Sequence, residues 1–186
     1  MNKIFNPNKS RIYFDQYLFI SITLLSFMGL LFLYSASQGN TETIIKQSFF
    51  VVFGLILMFV LSQPDPDFYK NNALFFLILS IILIFLTMLV GKEVNGAQRW
   101  LDLGFFTLQS SEIIKIALPV FLAAYLYDKP LPINLFETFV TLVLIFTIVN
   151  LVRIQPDLGT SLVILIAGLY ILSVSYTHLT LPTNCV

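Results

Sequence analysis

Two short segments carry most of the residues able to do chemistry. The first, Gly91 to Lys115, reads GKEVNGAQRWLDLGFFTLQSSEIIK. Arg99 and Asp102 stand three apart in it, and so do Glu112 and Lys115. On a helix each pair would share a face. Ser111 and Glu112 suit a helix start, because a serine hydroxyl caps free N–H groups and a carboxylate opposes the positive dipole end. Trp100, Phe105 and Phe106 suit the headgroup level, so the stretch reads as interfacial and amphipathic. Two chemistries fit. The charges pair with one another in a surface loop, or Arg99 and Lys115 form an anion site for a phosphorylated or pyrophosphorylated headgroup.

The second segment is RIQPDLGTS, Arg153 to Ser161. Pro156 cannot donate a hydrogen bond and biases Gln155 away from helix. Gly159 would let the backbone pass close to a neighbour. Asp157 is placed to cap a following helix, with Thr160 and Ser161 in its first turn. One reading is a capped turn in which Asp157 is satisfied by its own backbone and by Arg153. The other is a polar gap at membrane depth, which normally lines a cavity. The only His is His178 and the only Cys is Cys185, both in the terminal tail. No nucleophile–His–acid triad or metal cluster is legible.

The elements that must position these residues follow from composition. Of 186 residues 58% are hydrophobic and 11% charged, against about 25% charged in an ordinary soluble domain. Formal net charge is zero, so no field gathers nucleic acid. One Cys excludes a disulfide scaffold. An integral membrane protein remains. Apolar runs long enough for a bilayer, or nearly so, cover Tyr17 to Tyr34, Ile44 to Leu61, Ala73 to Val90, Ile113 to Tyr127, Phe136 to Val152 and Leu158 to Val174. The fourth is short and carries Pro119, read as a kink; it reaches spanning length if Ser111 and Glu112 begin it. Strands are not expected, because the apolar residues run continuously and do not alternate. The fold class is therefore all-α, a polytopic transmembrane helix bundle. Residues 1–16 read as a cytoplasmic tail, because Lys3, Lys9 and Arg11 precede any acid. Residues 17–175 form the transmembrane domain. Both charged segments then fall on the outer side.

These segments are where a family resemblance enters. NGAQRWLDLGFFTLQSSEIIKIALP followed by RIQPDLGTSLVILIAGLYIL resembles the SEDS family of bacterial cell-wall proteins, its elongation branch more closely than its cell-division branch. The family's usual Gln-Pro-Ser-Glu is here Gln109-Ser110-Ser111-Glu112. Arg99, Trp100, Glu112, Lys115, Gln155, Pro156, Asp157 and Gly159 match the family pattern.

The resemblance implies a ten-span enzyme of the bacterial inner membrane that polymerises lipid II into undecaprenyl-linked glycan during lateral wall elongation and cell-shape maintenance. It implies a divalent cation (Mg or Mn), a class B penicillin-binding protein as partner and a place in the elongation complex. Arg99, Lys115, Glu112, Asp157 and Gln155 are the expected substrate-binding residues. Trp100, Asp102, Pro156 and Gly159 are the expected structural ones. The family's proposed catalytic Asp is expected beyond Val186, so the chain alone is expected to be inactive. Residues 176–186 do not resemble the family and are expected to be foreign to it. A lipid II flippase, a cell-division polymerase and a non-catalytic scaffold stand as alternatives.

Overall fold

The computed structural model describes residues 15–94, 97–104, 106–130 and 133–177. The basic tail that set the orientation, and His178 and Cys185, lie outside them. Six helices form: α1 (Gln16–Ala36), α2 (Thr41–Ser62), α3 (Pro66–Val90), α4 (Ser110–Tyr127), α5 (Leu135–Ile154) and α6 (Leu158–Thr177). Each is long and apolar enough to cross a membrane, as the sequence predicts.

The caps come from local chemistry. Asp15 Oδ1 accepts from the amides of Tyr17 and Leu18, both at 3.0 Å, and opens α1. Asn40 Oδ1 does the same for α2, accepting from Glu42 at 3.1 Å and Thr43 at 3.3 Å. Between them Gln38 and Gly39 take φ of 52° and 78°, and the Gly39 amide closes onto the Tyr34 carbonyl at 3.2 Å. That is the left-handed helix end glycine favours. Pro66 stands first in α3, where its missing N–H costs nothing.

The chain divides into two units, one ending at Asp65 and one beginning at Pro66. The first contains the α1–α2 hairpin, in which no helix residue is buried. Both helices are apolar on every side, as suits lipid. The second unit packs α4 on α3 and α6, and α6 on α5. Its core joins Leu77 and Ile84 of α3, Ile114, Leu118 and Leu122 of α4, Ile145, Ile148 and Val152 of α5, and Ile164 of α6. On α3 the buried positions Ala73, Leu77, Ser80, Ile84 and Thr87 alternate spacings of four and three, one helical face. The Ser80 and Thr87 hydroxyls return to carbonyls of their own helix, so that face carries no polar cost.

One local expectation is overturned. Between α3 and α4 lies a three-stranded antiparallel sheet, β1 (Lys92–Val94), β2 (Ala97–Asp102) and β3 (Thr107–Gln109), in the order β1-β2-β3. Lys92 stands opposite Trp100, Glu93 opposite Gln98, and Trp100 opposite Gln109. The segment is too polar for hydrocarbon and too broken by turns for a helix, so its backbone groups pair across strands instead. The β2–β3 turn is tight. Gly104 has φ of 82°, its amide donates to Asp102 Oδ1 at 3.0 Å, and the Leu103 amide donates to the Phe106 carbonyl at 3.0 Å.

The opposite end of this unit is tied by charge. Lys70 pairs with Asp128 at 2.9 Å and lies over the Tyr127 ring. Lys129 pairs with Glu137 at 2.7 Å, and the Tyr125 hydroxyl donates to the same carboxylate.

Two glycines of α6 separate close packing from open space. A Cβ on Gly168 would stand 2.9 Å from Cγ1 of Ile145, a fully buried side chain with nowhere to move. A Cβ on Gly159 would meet nothing within 4 Å. Gly168→Ala is therefore expected to cost about 1–3 kcal/mol by overpacking. Gly159→Ala is expected to be neutral or to stabilise by up to about 1 kcal/mol through helix propensity. Thermal unfolding of both variants in one detergent checks this, and equal midpoints would contradict the α5–α6 packing described here.

Candidate functional site

The two charged segments meet at the end of the second unit where α4 and α6 begin. Asp157 is the centre. It is 7% exposed and stands just before α6. Its Oδ1 accepts from the Thr160 amide at 3.1 Å, the expected cap. Its Oδ2 accepts from Gln109 Nε2 at 2.9 Å and from Ser111 Oγ at 3.0 Å. Gln109 Nε2 also donates to Ser111 Oγ at 3.0 Å, closing a triangle. Two amide hydrogens, one hydroxyl and one carboxylate oxygen thus satisfy one another.

Neither Gln109 nor Ser111 was expected to hold Asp157. The expected partner, Arg153, is exposed and forms no ion pair among the described residues. Ser111 does not cap α4 either. That helix begins at Ser110, with Gln109 as a cap residue that makes no side-chain cap bond. The signal for this joint is weak in sequence, because its halves lie 46 and 48 residues apart.

Arg99 and Asp102 lie on β2, where residues three apart face opposite sides. They do not share a face as a helix would have required. Asp102 instead lies 3.5 Å from Lys92. The Gly104 amide and the Lys92 charge hold its carboxyl below the usual carboxylate value. Arg99 is half-buried, its Nε enclosed without a hydrogen-bond partner, and its positive charge acts on Asp157. Glu112 and Lys115 do pair at the expected spacing. Lys115 Nζ donates to both carboxylate oxygens at 2.7 Å, and the lysine side chain keeps 31% of its exposure. Trp100 is half-buried and Phe106 exposed, while Phe105 lies outside the described residues. Gly159 makes no close approach to anything, because it sits on the open side of α6.

Gln155 is buried at 3% exposure. Its Nε2 reaches across to the Ile84 carbonyl of α3 at 3.2 Å, and its Oε1 has no partner. Pro156 beside it is exposed and ends the hydrogen-bond ladder of α5.

Burial pushes the Asp157 carboxyl up. The Thr160 amide and hydroxyl, the Ser111 hydroxyl and the Arg99 charge outweigh burial and leave it below 3.8. An ionised carboxylate with both oxygens accepting bonds is a weak base. Asp157 is suited to holding donors and cations in place. A divalent cation finds no group of three acidic, His or Cys residues among the described residues. Asp157 and Glu112 are already engaged by Ser111, Gln109, Thr160 and Lys115, so the described residues do not by themselves make up a metal site.

Fold and site together define a multi-pass helical membrane protein with a built polar joint at one end of its second unit. The chain belongs to the family described as Cell cycle protein, FTSW_RODA_SPOVE, whose profile matches residues 15–184. It is 36% identical over 174 residues to the Escherichia coli K12 protein named peptidoglycan glycosyltransferase MrdB, covering 91% of this chain and 47% of that one. It is also similar to the crystal structure of the Thermus thermophilus rod shape determining protein RodA. That likeness has a TM-score of 0.81 at 27% identity, over 91% of this chain and 57% of that one. A chain from a peptidoglycan synthase complex, described as coordinating polymerization and crosslinking, matches with a TM-score of 0.79 at 27% identity. It covers 91% of this chain and 51% of that one. The chain thus spans about half the length of the relatives it matches.

Two predictions follow from the joint. Folding lowers the Asp157 pKa, so its stabilising contribution is complete above the ordinary value of 3.8 and is lost as pH falls through the folded value. Asp157→Asn removes that titration. The stability gap between wild type and variant should stay constant from about pH 8 to about pH 5 and close below about pH 4. Thermal midpoints across that range test it, and a gap that closes above pH 5 would contradict the depressed pKa. The second concerns Ser110, whose hydroxyl is fully buried and unpartnered at the first position of α4. Gln109 before it is extended, with φ of −94° and ψ of 114°, as a residue before proline prefers. Ser110→Pro should hold or raise the thermal midpoint, and a fall of several degrees would show that the Ser110 amide or hydroxyl has a partner.

Proposed function

We propose that this protein serves the polymerisation of lipid II by glycosyl transfer, at the outer face of the bacterial cytoplasmic membrane, during lateral wall elongation and cell-shape maintenance. The observation that carries the reading is the joint of Asp157 with Gln109 and Ser111, which brings the two charged segments to one end of a helix bundle. The family and the names of the relatives support it. The basic N-terminal tail supports a cytoplasmic N-terminus, which turns that end outward.

In the reaction a sugar hydroxyl oxygen attacks the anomeric carbon of a second lipid-linked sugar. The bond to the pyrophosphate oxygen breaks, and undecaprenyl pyrophosphate leaves with the electron pair. Charge develops on the pyrophosphate, so preorganised cations lower the barrier. Arg99 and Lys115 supply them. Glu112 orients Lys115, and Asp157 fixes the starts of α4 and α6 while holding the Arg99 side of the site by charge. Glu112 and Asp157 are poor candidates for the base that takes the hydroxyl proton, being ion-paired and fully hydrogen-bonded respectively. By resemblance that base belongs to the longer fold, which comprises about ten spans and works with a class B penicillin-binding protein in the elongation complex. The synthase complex among the similar structures supports such a partner.

The test uses a chain that spans the full length of its relatives. Lys115→Ala and Arg99→Ala should each lower glycan polymerisation from purified lipid II by roughly 10²–10³-fold. Ser111→Ala should cost less, because Gln109 still holds Asp157. If Lys115→Ala leaves both polymerisation and lipid II binding intact, the assignment of the pyrophosphate cations is wrong.

A further inference from the structure

Gln155 takes no part in the chemistry above, although the family resemblance places it among the substrate-binding residues. Its surroundings suit a different task. The side chain is 3% exposed and offers a ligand almost no surface. Its Nε2 donates to the Ile84 carbonyl of α3 at 3.2 Å, and its Oε1 is enclosed without a partner. The backbone does not need that bond. Ile84 lies inside α3, where the amide four residues on serves its carbonyl. An apolar side chain of the same length would fill the space and leave no acceptor unmet. What the amide adds is a bond of fixed length and direction between two elements.

Those two elements lead to the two halves of the site. Gln155 ends α5, its own amide on the Val152 carbonyl at 3.1 Å, and Asp157 follows two residues later. α3 passes directly into the hairpin. The Gly91 amide closes onto the Thr87 carbonyl at 2.8 Å, and β1 begins at Lys92. β1 pairs with β2, which carries Arg99. The Asp157 joint fixes α6 to α4 and β3, and its hydrogen bonds do not include α3. Leu77 and Ile84 of α3 meet the rest of the unit through apolar contacts, which carry no direction of their own. We propose that Gln155 is a positioning residue for glycosyl transfer: it ties the α5–α6 turn to α3 and so holds Asp157 in register with the strand that carries Arg99, without touching the substrate. The proposal rests on the glycosyl-transfer reading.

The test uses a chain that spans the full length of its relatives, held in nanodiscs below the unfolding transition of each variant. Gln155→Met keeps the length of the side chain and removes the donor. It should lower polymerisation turnover about 10-fold while lipid II binding stays within about 2-fold, because lost placement is felt in the transition state. A residue that grips the substrate would lose both. Gln155→Glu restores a donor while its carboxyl is protonated, and burial raises that carboxyl's pKa. Its turnover should approach that of wild type near about pH 6, and any fall relative to wild type should come at higher pH as the proton leaves. Spin labels on Glu93→Cys and Leu158→Cys, two exposed positions, read the hairpin against the α5–α6 turn in a background free of other cysteines. Their distance distribution should broaden in Gln155→Met. The proposal is overturned if Gln155→Met polymerises as wild type does, or if it loses lipid II binding in proportion to turnover. It is also overturned if the label distances do not change, or if Gln155→Glu near pH 6 is as slow as Gln155→Met. Failure of the glycosyl-transfer reading shows otherwise. Arg99→Ala and Lys115→Ala would then polymerise as wild type does, while the label distances still respond to Gln155→Met.

Discussion

A carboxylate taken out of water must be met by donors, and Asp157 imposes that constraint on the whole end of the second unit. Stripped of partners, it would cost several kcal/mol and pick up a proton. The chain meets it with an amide from the first turn of α6, a hydroxyl from the first turn of α4 and a side-chain amide from β3. Three elements are thereby fixed to one point. The sheet cannot slide on α4 without breaking the Gln109 bond, and α4 cannot turn against α6 without breaking the Ser111 bond. Arg99 and Lys115 derive their placement from this joint, one through the strand that pairs with β3 and the other one turn along α4.

Such a joint matters more in lipid than it would in water. Burying Ile84, Leu118 or Ile145 between helices does not remove them from water, because lipid tails are as apolar as they are. The core of the second unit is held by close packing, as at Gly168 against Ile145, and close packing alone tolerates several alignments. Hydrogen bonds of fixed geometry select one. The two ends of the unit are each pinned by such polar groups. Asp157 serves one end, and the pairs Lys70–Asp128 and Lys129–Glu137 serve the other. Between them Ser80 and Thr87 satisfy their hydroxyls within their own helix and leave the interface free to pack.

The hairpin shows where reading by hydrophobic period fails. Lys92 to Gln109 mixes apolar and polar residues with no sustained period, so charge spacing is the remaining guide, and three-residue spacing suggests a helix. The better signals were the turn residues. Asn95-Gly96 between two short polar runs, and Asp102 two residues before Gly104, are hairpin chemistry. Once the segment is a sheet, Arg99 and Asp102 part to opposite faces and Asp102 turns to Lys92. Glu93 and Gln98 come together instead, a juxtaposition that spacing on a helix would not have produced.

The sequence by itself determined the spans, their caps and the charged segments. These depend on local rules: a bilayer sets the length of an apolar run, and Asp15, Asn40 and Pro66 act within a turn or two of themselves. It also determined the Glu112–Lys115 pair, because neighbours on a helix meet whatever surrounds them. The tertiary structure alone decided that Asp157 answers to Gln109 and Ser111 and not to Arg153, and that Gln155 reaches Ile84 with one side of its amide and leaves the other unmet. Those contacts join residues 46 to 71 positions apart. No periodicity carries across such a separation. Which donor meets a buried acceptor is settled when the helices pack, by the distances that packing leaves.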